Sequence, residues 1–423
     1  MTTPTVHIVG AGLAGLAAGL TAAEAGLKVR LHEAAPRAGG RCRTYWDAQL
    51  DARIDNGNHL MMSGNAAVLD LVKRTGAQDQ LVGPEIAVYP FIDLETGRRW
   101  TVKPGLDRLP LWVLDPARSV PGVVPADFLE GLRLPLAGPD ATVADVIRRR
   151  GALWRGFWEP LTVAALNAPP ERGQARLLWR VLAETFLKGG AYCRPLMARD
   201  GLADALVDPT VAKIEALGGI VETGARVRAL EISGNRVAAL DRADGGIVLG
   251  PRDPVIVALP PTRARDLVPG LTTPDDGEAI VNAHFRLSAP PPPFPAGAVA
   301  LGVLGGAAQW IFVRDRIASI TISAPGPLAQ ADDAALLPRL WGETRQALAL
   351  PDDAHYLAGR IIKERRAVFD QSPAGVSRRP EARTPIANLL LAGDWIDTGL
   401  PATIESALRA GNRAGALARM LSA

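Results

Sequence analysis

The chain has 423 residues, too many for one hydrophobic core and suited to two domains. Apolar residues make up 48% and charged ones 22%, which fits an ordinary globular protein and argues against a disordered or membrane-spanning one. The net charge of +3 comes from 47 basic and 44 acidic side chains, with no Lys/Arg block interleaved with aromatics, so nucleic acid is not expected as a partner. The only two cysteines, Cys42 and Cys193, lack a metal-ligand spacing, and the expectation is a reduced, cytoplasmic protein without a metal.

Residues 6–9 read as a short apolar strand that runs directly into G-A-G-L-A-G, where Gly10, Gly12 and Gly15 have the G-x-G-x-x-G spacing. Gly10 permits the tight turn, Gly12 lets the backbone approach a pyrophosphate, and Gly15 lets the next helix pack closely on the strand. That helix, over 13–25, starts at Leu13 and Ala14 and turns its free N–H groups and positive end toward the phosphates. Gly26 stops it, and 28–32 is a second strand ending at Glu33 and Ala34. The acid falls near the ~20-residue offset at which a carboxylate takes a ribose hydroxyl pair. Next come Gly39, Gly40 and Arg41, a turn that can return a cationic fork to the pyrophosphate and that separates FAD from nicotinamide binding. Because the chain opens on this strand, without a basic and apolar leader, no signal peptide is expected.

Further along, 106–134 alternates Leu109, Leu111, Trp112, Leu114, Val124, Phe128 and Leu129 with Arg108, Arg118 and Arg133. Such a composition suits an interfacial segment lying on a membrane, or equally a lid between domains. From 206 a helix, a strand at 220–222 and alternating runs broken by Gly-Asn and Asp-Gly-Gly describe a small β-meander. Trp310 and Phe312 alternate in Q-W-I-F-V and so share one face of a strand, while His284 lies in the apolar V-N-A-H-F-R-L. The strand L-L-L-A-G-D-W at 389–395 ends in Gly393 and Asp394, an acid suited to ribityl or ribose hydroxyls. Pro401 begins a helix whose first N–H groups, at Thr403 and Ile404, can face a flavin carbonyl. No cysteine lies near that segment, so FAD is expected to be non-covalent. No stretch of about 20 residues is apolar enough to span a bilayer.

These elements predict an α/β fold with a discontinuous, Rossmann-type FAD-binding domain in three pieces, 1–85, 205–275 and 383–423. Residues 86–204 and 276–382 then form a second, mixed α+β substrate domain.

The stretches G-A-G-L-A-G-L, G-G-R-C-R-T and I-D-N-G-N-H (54–59) resemble the FAD-dependent amine oxidase and carotenoid desaturase superfamily. The central L-N-A-P-P-E-R, within 158–175, and D-T-G-L-P-A-T-I-E, within 392–411, resemble its hydroxysqualene dehydroxylase branch. The resemblance implies an amine-oxidase-like fold, Gly57 and Asn58 beside the isoalloxazine, and the Val227 backbone at the adenine. It also implies a C30 allylic alcohol as substrate and squalene, a hopanoid precursor, as product.

That reaction needs an apolar tunnel, π-faces for an allylic cation, and a proton donor for the leaving oxygen. His59, one of 5 histidines, is the first candidate donor, with a structural histidine bonded to a carbonyl as its alternative. Asp397 is the second, against a helix-capping or loop role. Asn167, His284, Trp310, Phe312 and Leu400 are expected to line the tunnel, though His284 and the two aromatics also suit ordinary core. Leu400 stands where flavin amine oxidases favour an aromatic cage residue, and the chain has only 4 tyrosines, which speaks against an amine substrate. A carotenoid-type desaturase and a non-catalytic prenyl-binding escort protein of the same fold stay open. With no second dinucleotide fingerprint and no cysteine cluster, FAD is expected to take its electrons from an external donor.

Overall fold

The computed structural model describes residues 4–106 and 111–422. Thr5–Val9 (β1) and Lys28–His32 (β2) are parallel neighbours joined by the helix Leu13–Glu24 (α1). Ile220–Glu222 extends the sheet beyond β2, and Val255–Val257 and Leu389–Leu391 extend it beyond β1, all in parallel. Such a sheet is buried on both faces, which is why these last two strands read as unbroken apolar runs and β1 as one interrupted only by the buried His7. α1 is made of small apolar residues and is buried nearly throughout. It lies against the C-terminal helix Ile404–Ser422 so closely that a Cβ added to Gly415 would come 2.6 Å from the Ala18 carbonyl oxygen. The predicted meander is present as Val227–Ser233, Arg236–Arg242 and Ile247–Val248, antiparallel throughout.

A second sheet has seven strands in the order Tyr356–Glu364, Ile280–Leu287, Ile317–Ser323, Trp310–Arg314, Ala300–Leu304, Tyr89–Asp93, Arg99–Val102. Every neighbouring pair is antiparallel except Ala300–Leu304 with Tyr89–Asp93. Glu159–Leu166 and Ala175–Glu184 pack beside it in an aromatic-rich core containing Trp154, Trp158 and Tyr89.

Between this core and solvent run two short 3₁₀ turns, Leu111–Leu114 and Pro116–Arg118, and the longer 3₁₀ stretch Pro125–Leu136. Trp112 and Leu134 point inward, whereas Leu111, Leu114, Leu129, Leu132 and Leu136 are exposed. Arg108 and Leu109 lie outside the described residues. Among the described residues, no helix is long and apolar enough to cross a membrane and no cluster of His, Cys, Asp or Glu could hold a metal.

Candidate active site: a glycine cradle opening into an aromatic chamber

The turn after β1 is held from both sides. Gly10 donates to the His32 carbonyl at 2.8 Å and adopts φ 102°, and a Cβ there would meet the Ala258 carbonyl oxygen at 2.6 Å. A Cβ on Gly15 would collide with the Gly10 carbonyl oxygen, so this glycine serves the helix-to-strand packing. Gly12 is different: an added Cβ would meet no atom within 4 Å, because this residue borders open cavity. The second glycine turn folds back onto the first, with Gly39 donating to the Ala11 carbonyl at 2.8 Å and Gly40 stacked against Gly12. Glu33 is fixed at the same spot, its two carboxylate oxygens accepting from the Ala11 and Ala35 N–H groups, each at 2.8 Å. This cradle of backbone and a helix N-terminus, closed by an acid, fits the pyrophosphate and ribose of a dinucleotide.

The cradle opens without a break into a cavity of about 620 Å³. Gly10, Gly12, Leu13, Ala14, Glu33, Gly40, Arg41, Asn58, Gly393, Asp394, Thr403 and Ile404 all border it at one end. Arg41 and Asp394, expected to reach the cofactor separately, are paired at 2.7 Å, and Arg41 also donates to the Ala367 carbonyl. Thr403 caps the C-terminal helix, its hydroxyl accepting from Ser406 N–H at 3.1 Å. Cys42 borders this end as well, but burial pushes its thiol up to about 12, so it is not a thiolate at neutral pH.

The other end is mainly aromatic and apolar, with Glu184 and Thr185 beside Phe186 as polar exceptions. Trp310 and Phe312 both face it, as their alternation predicted, and Trp310 meets Phe91 edge-on at 5.6 Å. Tyr89, Phe91, Phe157 and Phe186 complete the chamber with Leu400. The Tyr89 hydroxyl is taken up by the Cys193 carbonyl, and burial raises its pKa well above the ordinary value. Asn167 borders the cavity but spends its amide on structure. In left-handed conformation at the end of Glu159–Leu166, it donates to the Glu278 carbonyl at 2.7 Å and accepts from Ala324 N–H at 2.7 Å.

His59 stands where the two ends meet and makes no side-chain hydrogen bond among the described residues. Burial lowers its pKa, opposed by the nearby Asp55 carboxylate and assisted by Arg41. The preceding Asn58 donates to Thr321 Oγ1 at 3.3 Å, and Thr321 in turn donates to the buried Asn282 at 2.9 Å.

Several expectations fail on position. Asp397 is not in the cavity wall: its side chain is 60% exposed and caps its own turn by accepting from Gly399 N–H at 3.0 Å. His284 is fully buried in the seven-stranded sheet, bonded to Ser319 Oγ at 2.8 Å and outside the cavity, and burial brings its pKa down to about 4. Gly57 faces Asn282, Ala34 is exposed, and the Val227 side chain is packed in a core with Val9; none of the three borders this cavity, which leaves the expected contact of the Val227 backbone with adenine untested. Tyr89, Phe91, Phe157 and Phe186 were missed. They come from strand and helix segments with ordinary core composition, and no local signal separates cavity-facing from core-facing aromatics there.

The model of the family described as flavin containing amine oxidoreductase matches residues 13–290 and 326–418. Hydroxysqualene dehydroxylases of Rhodopseudomonas palustris and Sinorhizobium fredii are 46% and 42% identical to this chain, each over 98% of both chains. Cyclohexylamine oxidase from Brevibacterium oxydans superposes over 100% of both chains with a TM-score of 0.71 at 16% identity. Putrescine oxidase does so over 98% of both, with a TM-score of 0.67 at 18% identity. The two solved structures share the fold, whereas the two dehydroxylases share the sequence from end to end. The chain therefore belongs to the flavin containing amine oxidoreductase family and, within it, to the hydroxysqualene dehydroxylases.

Proposed function

We propose that this protein reductively removes the hydroxyl group of hydroxysqualene to give squalene, with non-covalently held FAD as its cofactor. One observation carries the proposal: a dinucleotide cradle continuous with an apolar, aromatic chamber, in a chain nearly half identical to enzymes named for that substrate. Reduced FAD, when bound, supplies a hydride; an external donor must restore it. The rest is the work of the chain. The allylic C–O bond breaks, its oxygen leaves as water after gaining a proton, and hydride closes the vacancy on carbon.

The cradle residues Gly12, Gly40, Arg41 and Asp394 hold the cofactor, with Glu33 beside them. Trp310, Phe312 and Phe91 offer π-faces to positive charge on the substrate and keep water from it. His59 is a polar side chain at the junction whose ring nitrogens are both uncommitted among the described residues, and it holds the proton for the leaving oxygen. Leu400 at the chamber wall gives no cage for an ammonium group, which favours the uncharged isoprenoid over an amine.

The chain divides accordingly, with 1–85, 205–275 and 383–423 forming the cradle side and the remainder the chamber side. Support for this division comes from the parallel sheet, whose strands are drawn from those three pieces. We also assign the exposed leucines of Pro125–Leu136, flanked by the exposed Arg133, Arg148 and Arg149, to contact with an anionic lipid surface. Phe128 of this segment packs on Phe157, which borders the chamber, so the lipid-facing side adjoins the substrate space. The deciding experiment is anaerobic mixing of FAD-reduced protein with hydroxysqualene. Flavin reoxidation with stoichiometric squalene by gas chromatography is expected; reoxidation absent with hydroxysqualene but present with an amine-derived imine would overturn the assignment.

A further inference from the structure

Arg379 is a buried cation with an unusual set of partners. Its side chain is 1% exposed, yet among the described residues no carboxylate oxygen comes closer than 3.9 Å, and that one belongs to Asp397, largely in solvent. The guanidinium donates instead to backbone carbonyls of a single loop. It reaches Leu400 at 2.9 Å, Ile396 at 2.6 Å, Asp394 at 3.3 Å and Trp395 at 3.4 Å. The ring of the fully buried Phe369 lies 4.9 Å from its Cζ. Asp394, whose charge could have neutralised it, is paired with Arg41.

The two ends of this loop form cavity wall: Gly393, Asp394, Leu400 and Pro401 all border the space, and the helix that starts at Ile404 follows directly. Arg379 therefore sits one residue's thickness behind the wall. It turns the negative ends of four carbonyl dipoles away from the cavity. Burial lowers its pKa, but a guanidinium stays charged at any physiological pH. An uncompensated buried charge is costly, and an apolar residue of similar volume would fill the site without that cost. Holding the loop explains the hydrogen bonds; it does not explain why the group is charged.

We propose that Arg379 is a positioning residue that locks the 394–400 loop and whose buried positive charge favours the reduced state of the bound flavin. Two-electron reduction places negative charge on the flavin, and a fixed cation behind a dry wall acts on it with little solvent screening. The proposal rests on the FAD assignment but not on the identity of the substrate.

The test compares FAD-loaded wild type with Arg379→Gln and Arg379→Lys by equilibration against a reference dye and by FAD dissociation constant. For Arg379→Gln, the equilibrium constant for flavin reduction is expected to fall at least tenfold, about 30 mV for a two-electron couple. Arg379→Lys, which keeps the charge but not the fork, is expected to stay within threefold while binding FAD more weakly. Release of FAD by the Gln variant with retention by the Lys variant likewise supports the role of charge. A Gln variant within twofold of wild type, equal shifts in both variants, or loss of FAD from both would overturn it and leave Arg379 a structural clamp. Unchanged potentials with intact dehydroxylation would sink this proposal alone; the expected potential shift in Arg379→Gln, with no squalene formed by wild type, would sink the substrate assignment alone.

Discussion

At the cradle end, the surface offered to a ligand is backbone: Gly10, Gly12 and Gly40 contribute no side chain, and the polar groups Glu33, Arg41 and Asp394 are each fixed by a hydrogen bond. At the chamber end, the surface is aromatic side chain drawn from segments as distant as 89–91, 157, 186 and 310–312. The first end leaves no room for added volume once a dinucleotide is bound, and it binds by fixed dipoles. The second is shaped by packing and selects by size and polarity. A lesion at the cradle should therefore weaken cofactor binding, and abolish it where added volume fills the pyrophosphate site, while a lesion in the chamber should leave FAD in place and change turnover.

The sharpest way to break this contrast is Gly12→Val. Its Cβ has open space in the protein itself, so the chain is expected to melt normally and yet retain no flavin, read from the 450 nm band after gel filtration. Gly15→Ala should do the reverse, costing stability through its clash with the Gly10 carbonyl. Normal flavin content in Gly12→Val would remove the basis for placing the pyrophosphate there.

Next in size is His59→Ala, expected to hold FAD but to slow single-turnover reoxidation by hydroxysqualene roughly 10²–10⁴-fold. Giving up a proton requires the imidazolium, and burial depresses the His59 pKa below its ordinary 6.5. Turnover should thus fall as pH rises through a value under 6.5, and this decline with rising pH should be missing from the variant. A rate within a few-fold of wild type would move the donor elsewhere in the chamber.

Asp394→Ala is expected to weaken FAD by about 1.5–3 kcal/mol, roughly 10–150-fold in dissociation constant, since it removes a charge-assisted bond and releases Arg41. At the outer edge of the chamber, replacing Leu129, Leu132 and Leu136 together by serine should leave melting unchanged, because all three are exposed. It should cut cosedimentation with anionic vesicles about tenfold, as each leucine forgoes part of the roughly 1.5–3 kcal/mol its burial supplies. Equal binding by both proteins would assign these leucines to another partner.

The smallest effect concerns the scaffold under the two ends. His7 and His32 lie beneath the cradle with ring nitrogens 3.2 Å apart, and His284 lies behind the chamber; burial lowers each to about 4. The unfolded chain takes up protons below 6.5 that the folded one refuses. Stability should be whole above pH 6.5 and decline as pH falls toward 4, seen as a falling melting temperature. His284→Gln should flatten part of that decline.

The cradle was legible because its rules are local. A tight turn, a helix start and an acid at a strand end are each dictated within a few residues by backbone geometry, so spacing alone marked Gly10, Gly12, Glu33 and Asp394. Alternation likewise put Trp310 and Phe312 on one face, but only the packed sheet decided that this face meets a cavity. The same ambiguity defeated the sequence at His284 and Asp397. A polar residue in an apolar strand, or just past a strand end, has the same local pattern whether it faces ligand, core or solvent. Arg379 left no trace at all in the sequence, one of two adjacent arginines before a proline. Its burial depends on four carbonyls that lie 15 to 21 residues away along the chain, and a hydrogen-bond set of that span exists only once the loop has folded around it.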